Sequence, residues 1–186
     1  MSDIIRGGAV VADPWRVLRA GEGEAAATLE VPEQGAVVVP LATWLAQAGA
    51  LVQRGNVAVW LAGDDDPAAL APWFERLSLV AVDFPKFTDG RGYSIAYLLR
   101  ARFHYRGELR AIGDVLPDQL LAMRRTGFDS FALRADRKAE HALAALEAFS
   151  DAYPGTWQQP LPAFRRHARD WPESEGQPVR KVRQHA

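Results

Sequence analysis

The sequence predicts an α/β fold, a single domain with a mostly parallel sheet and helices packed on it. Three observations carry this. From Gly35 onward an apolar run, a turn and a helically spaced stretch alternate again and again, the signature of βαβ units. The runs are short and almost wholly apolar, as strands covered on both faces should be. The chain has 186 residues and no cysteine, a size at which one core buries roughly two thirds of the unfolded surface without a disulfide or metal staple.

Residues 1–34 read as a lead-in of short extended pieces, broken by Gly7-Gly8, Asp13-Pro14 and Gly21-Glu22-Gly23. The lead-in resembles a hairpin, because no long helical period runs through it. Val37-Val38-Val39 is a β-branched strand closed by Pro40, and Leu41, Trp44, Leu45 and Ala48 after it have helical spacing. Asn56 to Leu61 is the next strand. Asp66-Pro67 then opens a helix, a carboxylate cap followed by proline at the first helical position. Leu70, Trp73, Phe74 and Leu77 give that helix an apolar face.

Leu79 to Phe84 is a third strand, leading through Pro85-Lys86-Phe87-Thr88-Asp89-Gly90-Arg91-Gly92 into a helix that ends near Tyr105. Leu109 to Gly113 is a fourth, followed by Asp114 and a helix started by Pro117 and stopped by Gly127. Ser130 to Arg134 is the last, and a final helix begins near Asp136. The pattern amounts to about five βα units, either open or curled as a partial β/α barrel. Residues 1–153 form the domain, 154–168 an extended aromatic segment packing Trp157, Leu161 and Phe164 back on it, and 169–186 a disordered tail.

Composition excludes several chemistries. Without cysteine there is no thiolate nucleophile, no redox dithiol and no cysteine-ligated iron–sulfur cluster, so electron transfer needs a borrowed cofactor or a partner. The histidines His104, His141, His167 and His185 have no metal-site spacing, and no metal is expected. Met1 to Arg6 lacks the apolar run of a signal peptide and no apolar run reaches membrane-spanning length, so a cytoplasmic protein is expected. Net charge is −1, with six Arg/Lys against three Asp/Glu from Arg165 onward. That tail is too weakly basic for a nucleic-acid footprint.

In both open α/β sheets and β/α barrels, ligands bind outside the carboxyl ends of the strands. There the sequence places Asp64, Asp65 and Asp66; then Asp83 with Lys86, Asp89, Arg91 and Tyr93; then Asp114; then Arg134. The loop holding Lys86, Asp89, Gly90, Arg91, Gly92 and Tyr93 sets two cations beside two glycines at a helix start, an arrangement suited to phosphate, sulfate, sulfite or carboxylate. The competing reading has Thr88 or Asp89 capping the helix and Lys86 pairing with Asp83 or Asp89. Asp114 reads as a turn or cap carboxylate and Gln119 as a capping-box partner. Arg134 requires a carboxylate or a ligand, with Asp83 or Asp114 as internal partner, and Arg110 likewise implies a carboxylate.

Two patterns are set aside. Gly21-Glu22-Gly23-Glu24-Ala25-Ala26 fits a loose dinucleotide motif, but it lacks the strand–turn–helix context and would face a pyrophosphate with two glutamates. Trp73, Phe74, Tyr97 and Met123 fall at helical spacings and read as core.

Asp83 to Ser94, Leu98-Leu99-Arg100, Arg106 to Leu116, Asp118-Gln119-Leu120 and Arg125 to Phe131 together resemble the bacterial family catalogued as domain of unknown function 934. The resemblance is dense over about residues 57–135 and extends loosely to Trp15 and to Phe149–Tyr153. It implies an oxidoreductase involved in sulfite reduction, because members accompany sulfite reductase in assimilatory sulfur metabolism. It also implies sulfite reductase as a partner.

On this reading Arg91 holds a small anion or anionic cofactor bidentately, Lys86 adds point charge, Arg134 stands nearby, and Asp83 or Asp114 is the candidate catalytic base. The cofactor is unknown. Two other readings stand beside it: a non-catalytic partner or assembly factor of the reductase, and an unrelated phosphate-handling β/α enzyme.

Overall fold

The computed structural model describes residues 3–147. The segments 154–168 and 169–186 lie outside the described residues. Eight strands form one sheet: β1 (Asp3–Arg6), β2 (Ala9–Ala12), β3 (Trp15–Val17), β4 (Ala36–Pro40), β5 (Val57–Leu61), β6 (Leu79–Phe84), β7 (Glu108–Gly113) and β8 (Ser130–Phe131). The α-helices are α1 (Leu41–Leu51), α2 (Arg91–Tyr97), α3 (Leu120–Thr126) and α4 (Ala139–Glu147).

The chain adopts the expected α/β class, and five strand–helix units run from β4 to α4, but the sheet is mixed rather than mostly parallel. The strand order is β2-β1-β8-β7-β6-β5-β4-β3. Strands β3 to β8 pair in parallel, whereas β1 pairs antiparallel with both β8 and β2. The lead-in therefore supplies three strands, two at one edge and one at the other. They escaped the apolar-run signal because each is only three or four residues long. Gly7 and Gly8, at φ 60° and 79°, make the two-residue turn between β1 and β2, whose geometry needs positive φ at both positions.

Sequential strand order decides between an open and a curled sheet. Right-handed crossovers that always step the same way leave every helix on one face. One parity of strand residues (Val37, Val39, Val59, Val80, Val82, Phe84, Leu109) packs with Trp44, Leu51, Leu99, Met123 and Leu146 of the helical layer. The other parity forms a smaller cluster, Val38, Ala58, Leu79, Ala81 and Ile112 with Trp15, Val17, Trp60 and Ala132. That second cluster contains no helical residue, and the sheet curls round it as a half-barrel. Each fully buried aliphatic side chain contributes roughly 1.5–3 kcal/mol, so the helix-covered face dominates stability and the concave face is freer to carry polar groups.

Local differences have local causes. The helix opened by Asp66 is a 3-10 segment, Pro67–Trp73, because Pro72 lies inside it and an interior proline removes an α-helical donor. Its cap is as expected, with the Ala68 N–H donating to Asp66 Oδ1 at 2.9 Å. Strand β8 ends at Phe131, so Arg134 lies in the following loop and α4 starts at Ala139.

Candidate functional site

The carboxyl ends of β3, β7 and β8 converge on the concave face. A cavity of about 600 Å³ opens there, lined by Asp13, Trp15, Arg16, Val17 and Arg19 on one side and by Ile112, Gly113 and Ala132 to Ala135 on the other, with Arg134 among them. This volume lies within the roughly 300–1,000 Å³ range of small-molecule sites.

Asp83, a candidate base, sits at the end of β6 and is 7 % exposed. Arg19 donates to both of its oxygens, Nη1 to Oδ2 at 2.9 Å and Nη2 to Oδ1 at 2.6 Å. The Arg19 guanidinium lies 5.1 Å from the Trp60 ring centroid, and Trp60 Nε1 donates to the Leu18 carbonyl at 2.9 Å. The chain after β3 is thereby fixed over the ends of β5 and β6. The hydrogen bond to Asp83 raises the Arg19 pKa above its ordinary value, with burial working against it.

Asp114, the other candidate, joins two loops. Its Oδ2 accepts from the Phe87 N–H and its Oδ1 from Arg134 Nη1, both at 2.9 Å. Arg134 also donates to Asp136, from Nε at 2.7 Å and Nη2 at 3.0 Å. Hydrogen bonds to Asp136 and then Asp114 raise the Arg134 pKa. Of the two expected internal partners for Arg134, Asp114 is the one used. Gln119 completes the bracing: its Oε1 accepts from the Leu116 N–H at 3.2 Å, as a capping-box partner, and its Nε2 donates to the Phe87 carbonyl at 2.8 Å.

The glycine-containing loop is arranged more locally than the anion reading requires. Arg91 forks onto Asp89, with Nη2 to Oδ2 at 2.7 Å and Nε to Oδ1 at 3.0 Å. Asp89 also accepts from the Arg91 N–H at 3.1 Å, as a cap. The hydrogen bonds from the Arg91 side chain and backbone lower the Asp89 carboxyl to about 2. Gly92 abuts the Phe84 ring, on which Tyr93 packs edge-on at 5.4 Å. Burial raises the Tyr93 phenol. The Lys86 ammonium makes neither hydrogen bond nor ion pair with the described residues, and neither Lys86 nor Arg91 lines the concave cavity. The loop adjoins that cavity through Phe87, Asp114 and Arg134.

Arg110, on the concave face of β7, is 1 % exposed. It pairs with Asp13 at 2.7 Å and Glu108 at 2.7 Å, meeting the carboxylate requirement. Asp13, Trp15, Arg16 and Arg19 lie outside the candidates the sequence offers, because the strands of the lead-in, three or four residues each, are too short to show that they join the sheet. Two signals were available. Trp15, Val17 and Arg19 alternate, and Asp83, inside an apolar strand, needed a cation from elsewhere.

Among the described residues no three His, Asp or Glu side chains converge as a metal-binding group, and no helix is long and apolar enough to cross a membrane. The sequence model of a family described as bacterial protein of unknown function (DUF934) matches residues 58–164. The match spans more than half of the chain, including Asp83, Asp114 and Arg134, and begins after Arg19. No curated protein matches.

Proposed function

The chain belongs to the DUF934 family, and from that premise we propose that it is an accessory protein of assimilatory sulfite reduction that binds a small oxyanion in the concave cavity. The observation that carries this reading is the lining of one strand-end cavity by Arg16, Arg19 and Arg134. The sequence resemblance supplies the pathway.

Guanidinium groups carry five N–H donors in a fixed fork. Arg19 uses donors on Nη1 and Nη2 for Asp83, and Arg134 spends three on Asp114 and Asp136. Both keep donors for an incoming oxygen. Asp83 and Asp114 then orient the two arginines, as carboxylates commonly orient charged binding groups. With their oxygens engaged by guanidinium and backbone donors, they serve to position the arginines rather than to take a proton from a ligand. With no thiol in the chain, electron transfer requires a cofactor or the reductase itself, so binding rather than redox chemistry is what its own side chains provide.

A second reading, docking to sulfite reductase, is favoured by Phe87. It is 52 % exposed, yet both backbone polar groups are held, by Asp114 and Gln119. A braced, exposed aromatic ring suits an interface anchor.

The test is thermal unfolding with sulfite, sulfate, phosphate, NADPH and flavin, on wild type and Arg134→Ala. A ligand at a hundred times its dissociation constant raises the midpoint of a chain this size by roughly 5–10 °C. Sulfite is expected to give such a shift and Arg134→Ala to remove it. No shift with any of these compounds rejects the binding reading.

A further inference from the structure

Resting on that reading, we infer that the concave cavity prefers, over a bare inorganic oxyanion, an organic phosphate or sulfate ester bearing a flat ring and a hydrogen-bond donor. Three features of the wall lead there.

The first is size. A bare tetrahedral or pyramidal oxyanion fills only a small part of about 600 Å³, a volume typical of organic ligands and cofactors. The second is the character of the walls. Trp15, Val17, Ile112, Ala132 and Leu133 face the same space as the arginines, and Trp15, Val17 and Ala132 are only partly covered by the concave cluster. An inorganic anion leaves such a surface wet, whereas a ring laid against it removes apolar area from water.

The third is Asp13. It is 7 % exposed, and its Oδ1 accepts from the Trp15 N–H at 3.1 Å and from Arg110 Nη1 at 2.7 Å. Its Oδ2 takes no hydrogen bond from the described residues and is not among the fully enclosed unsatisfied atoms. A nearly buried carboxylate oxygen at a cavity wall repels an oxyanion and calls for a donor such as a ring amino group or a hydroxyl. The cations Arg19 and Arg134 therefore suit one part of a ligand, and Trp15 with Asp13 suits another.

The experiment is calorimetric titration of the full chain with sulfite, inorganic phosphate, phenyl phosphate and adenosine 5′-monophosphate, repeated on Arg134→Ala and Ala132→Phe. Ala132→Phe fills the cavity without removing a charge. On wild type, phenyl phosphate is expected to bind at least about tenfold more tightly than inorganic phosphate, and the nucleotide, which adds a donor, more tightly still. Both variants are expected to abolish ester binding.

Equal affinity for inorganic and ester ligands, sensitive to Arg134→Ala but not to Ala132→Phe, overturns this inference and leaves the oxyanion reading intact. Tighter ester binding that survives both variants places the ligand elsewhere and overturns the inference as well. Absence of binding by all four compounds overturns both readings. Because the ranking is measured on wild type, the inference can fail even if a variant does not fold.

Discussion

Arg19 holds both carboxylate oxygens of Asp83, at 2.9 and 2.6 Å, so a residue from the N-terminal lead-in caps the end of a central strand 64 positions later. Asp83 is buried while Arg19 is half exposed, and removing the arginine leaves the carboxylate poorly solvated. Arg19→Ala and Asp83→Asn are each expected to cost about 1–3 kcal/mol, discounted from the fully buried case because one partner meets water. That corresponds to a fall of roughly 2–12 °C in the unfolding midpoint. The double variant is expected to cost less than the sum of the two, as for residues in direct contact. Additive losses in a calorimetric double-mutant cycle contradict the pairing.

The glycines of the loop before α2 separate packing from ligand approach. A Cβ on Gly92 would lie 2.6 Å from Phe84 Cζ, whereas one on Gly90 meets nothing within 4 Å. Gly92→Ala is expected to cost about 1–3 kcal/mol through overpacking, and Gly90→Ala to stay within about 0.5 kcal/mol. Chemical denaturation of the two variants checks this. Loss of sulfite affinity in a stable Gly90→Ala returns the anion site to the loop.

Much of the fold was legible because its signals are local. Val37 to Val39, Val57 to Leu61 and Leu79 to Phe84 are short, valine-rich, almost wholly apolar runs bounded by turn residues, which read as buried strands, and Asp66-Pro67 and Gly127 punctuate the chain as their chemistry requires. What stayed hidden depends on pairings distant in sequence. Nothing in Trp15-Arg16-Val17 shows that it joins β4 at the sheet edge, or that Ile5 lies beside Phe131. The site followed the same division. Asp114 and Arg134 could be named from their places after strands. Arg19 and Asp13 could not, since they reach the site only through the placement of the lead-in. Arg91 looked free because its nearest partner, Asp89, is an equally plausible cap in the sequence.

Acid is expected to weaken the network under β7. Burial by itself raises the Glu108 carboxyl, but hydrogen bonds from Ser130 and Arg110, with the charges of Arg110 and Arg6, outweigh it and hold the pKa below the ordinary glutamate value. A carboxyl depressed on folding contributes stability that is fully present above its unfolded pKa and is lost as pH falls through the folded one. The loss should therefore begin near the ordinary glutamate range and deepen below it. Unfolding midpoints followed through that window are expected to fall less steeply for Glu108→Gln than for wild type. Equal slopes contradict the assignment.

On the proposed reading the oxyanion lies on the concave face between β3 and the loop after β8. Backbone hydrogen exchange of the full chain, with and without saturating sulfite, tests it most directly. Protection is expected in peptides covering residues 13–19 and 132–135, with little change over the loop that carries Lys86 and Arg91. Protection confined to residues 84–92, with the concave-face peptides unchanged, contradicts the claim and places the anion in the glycine-containing loop.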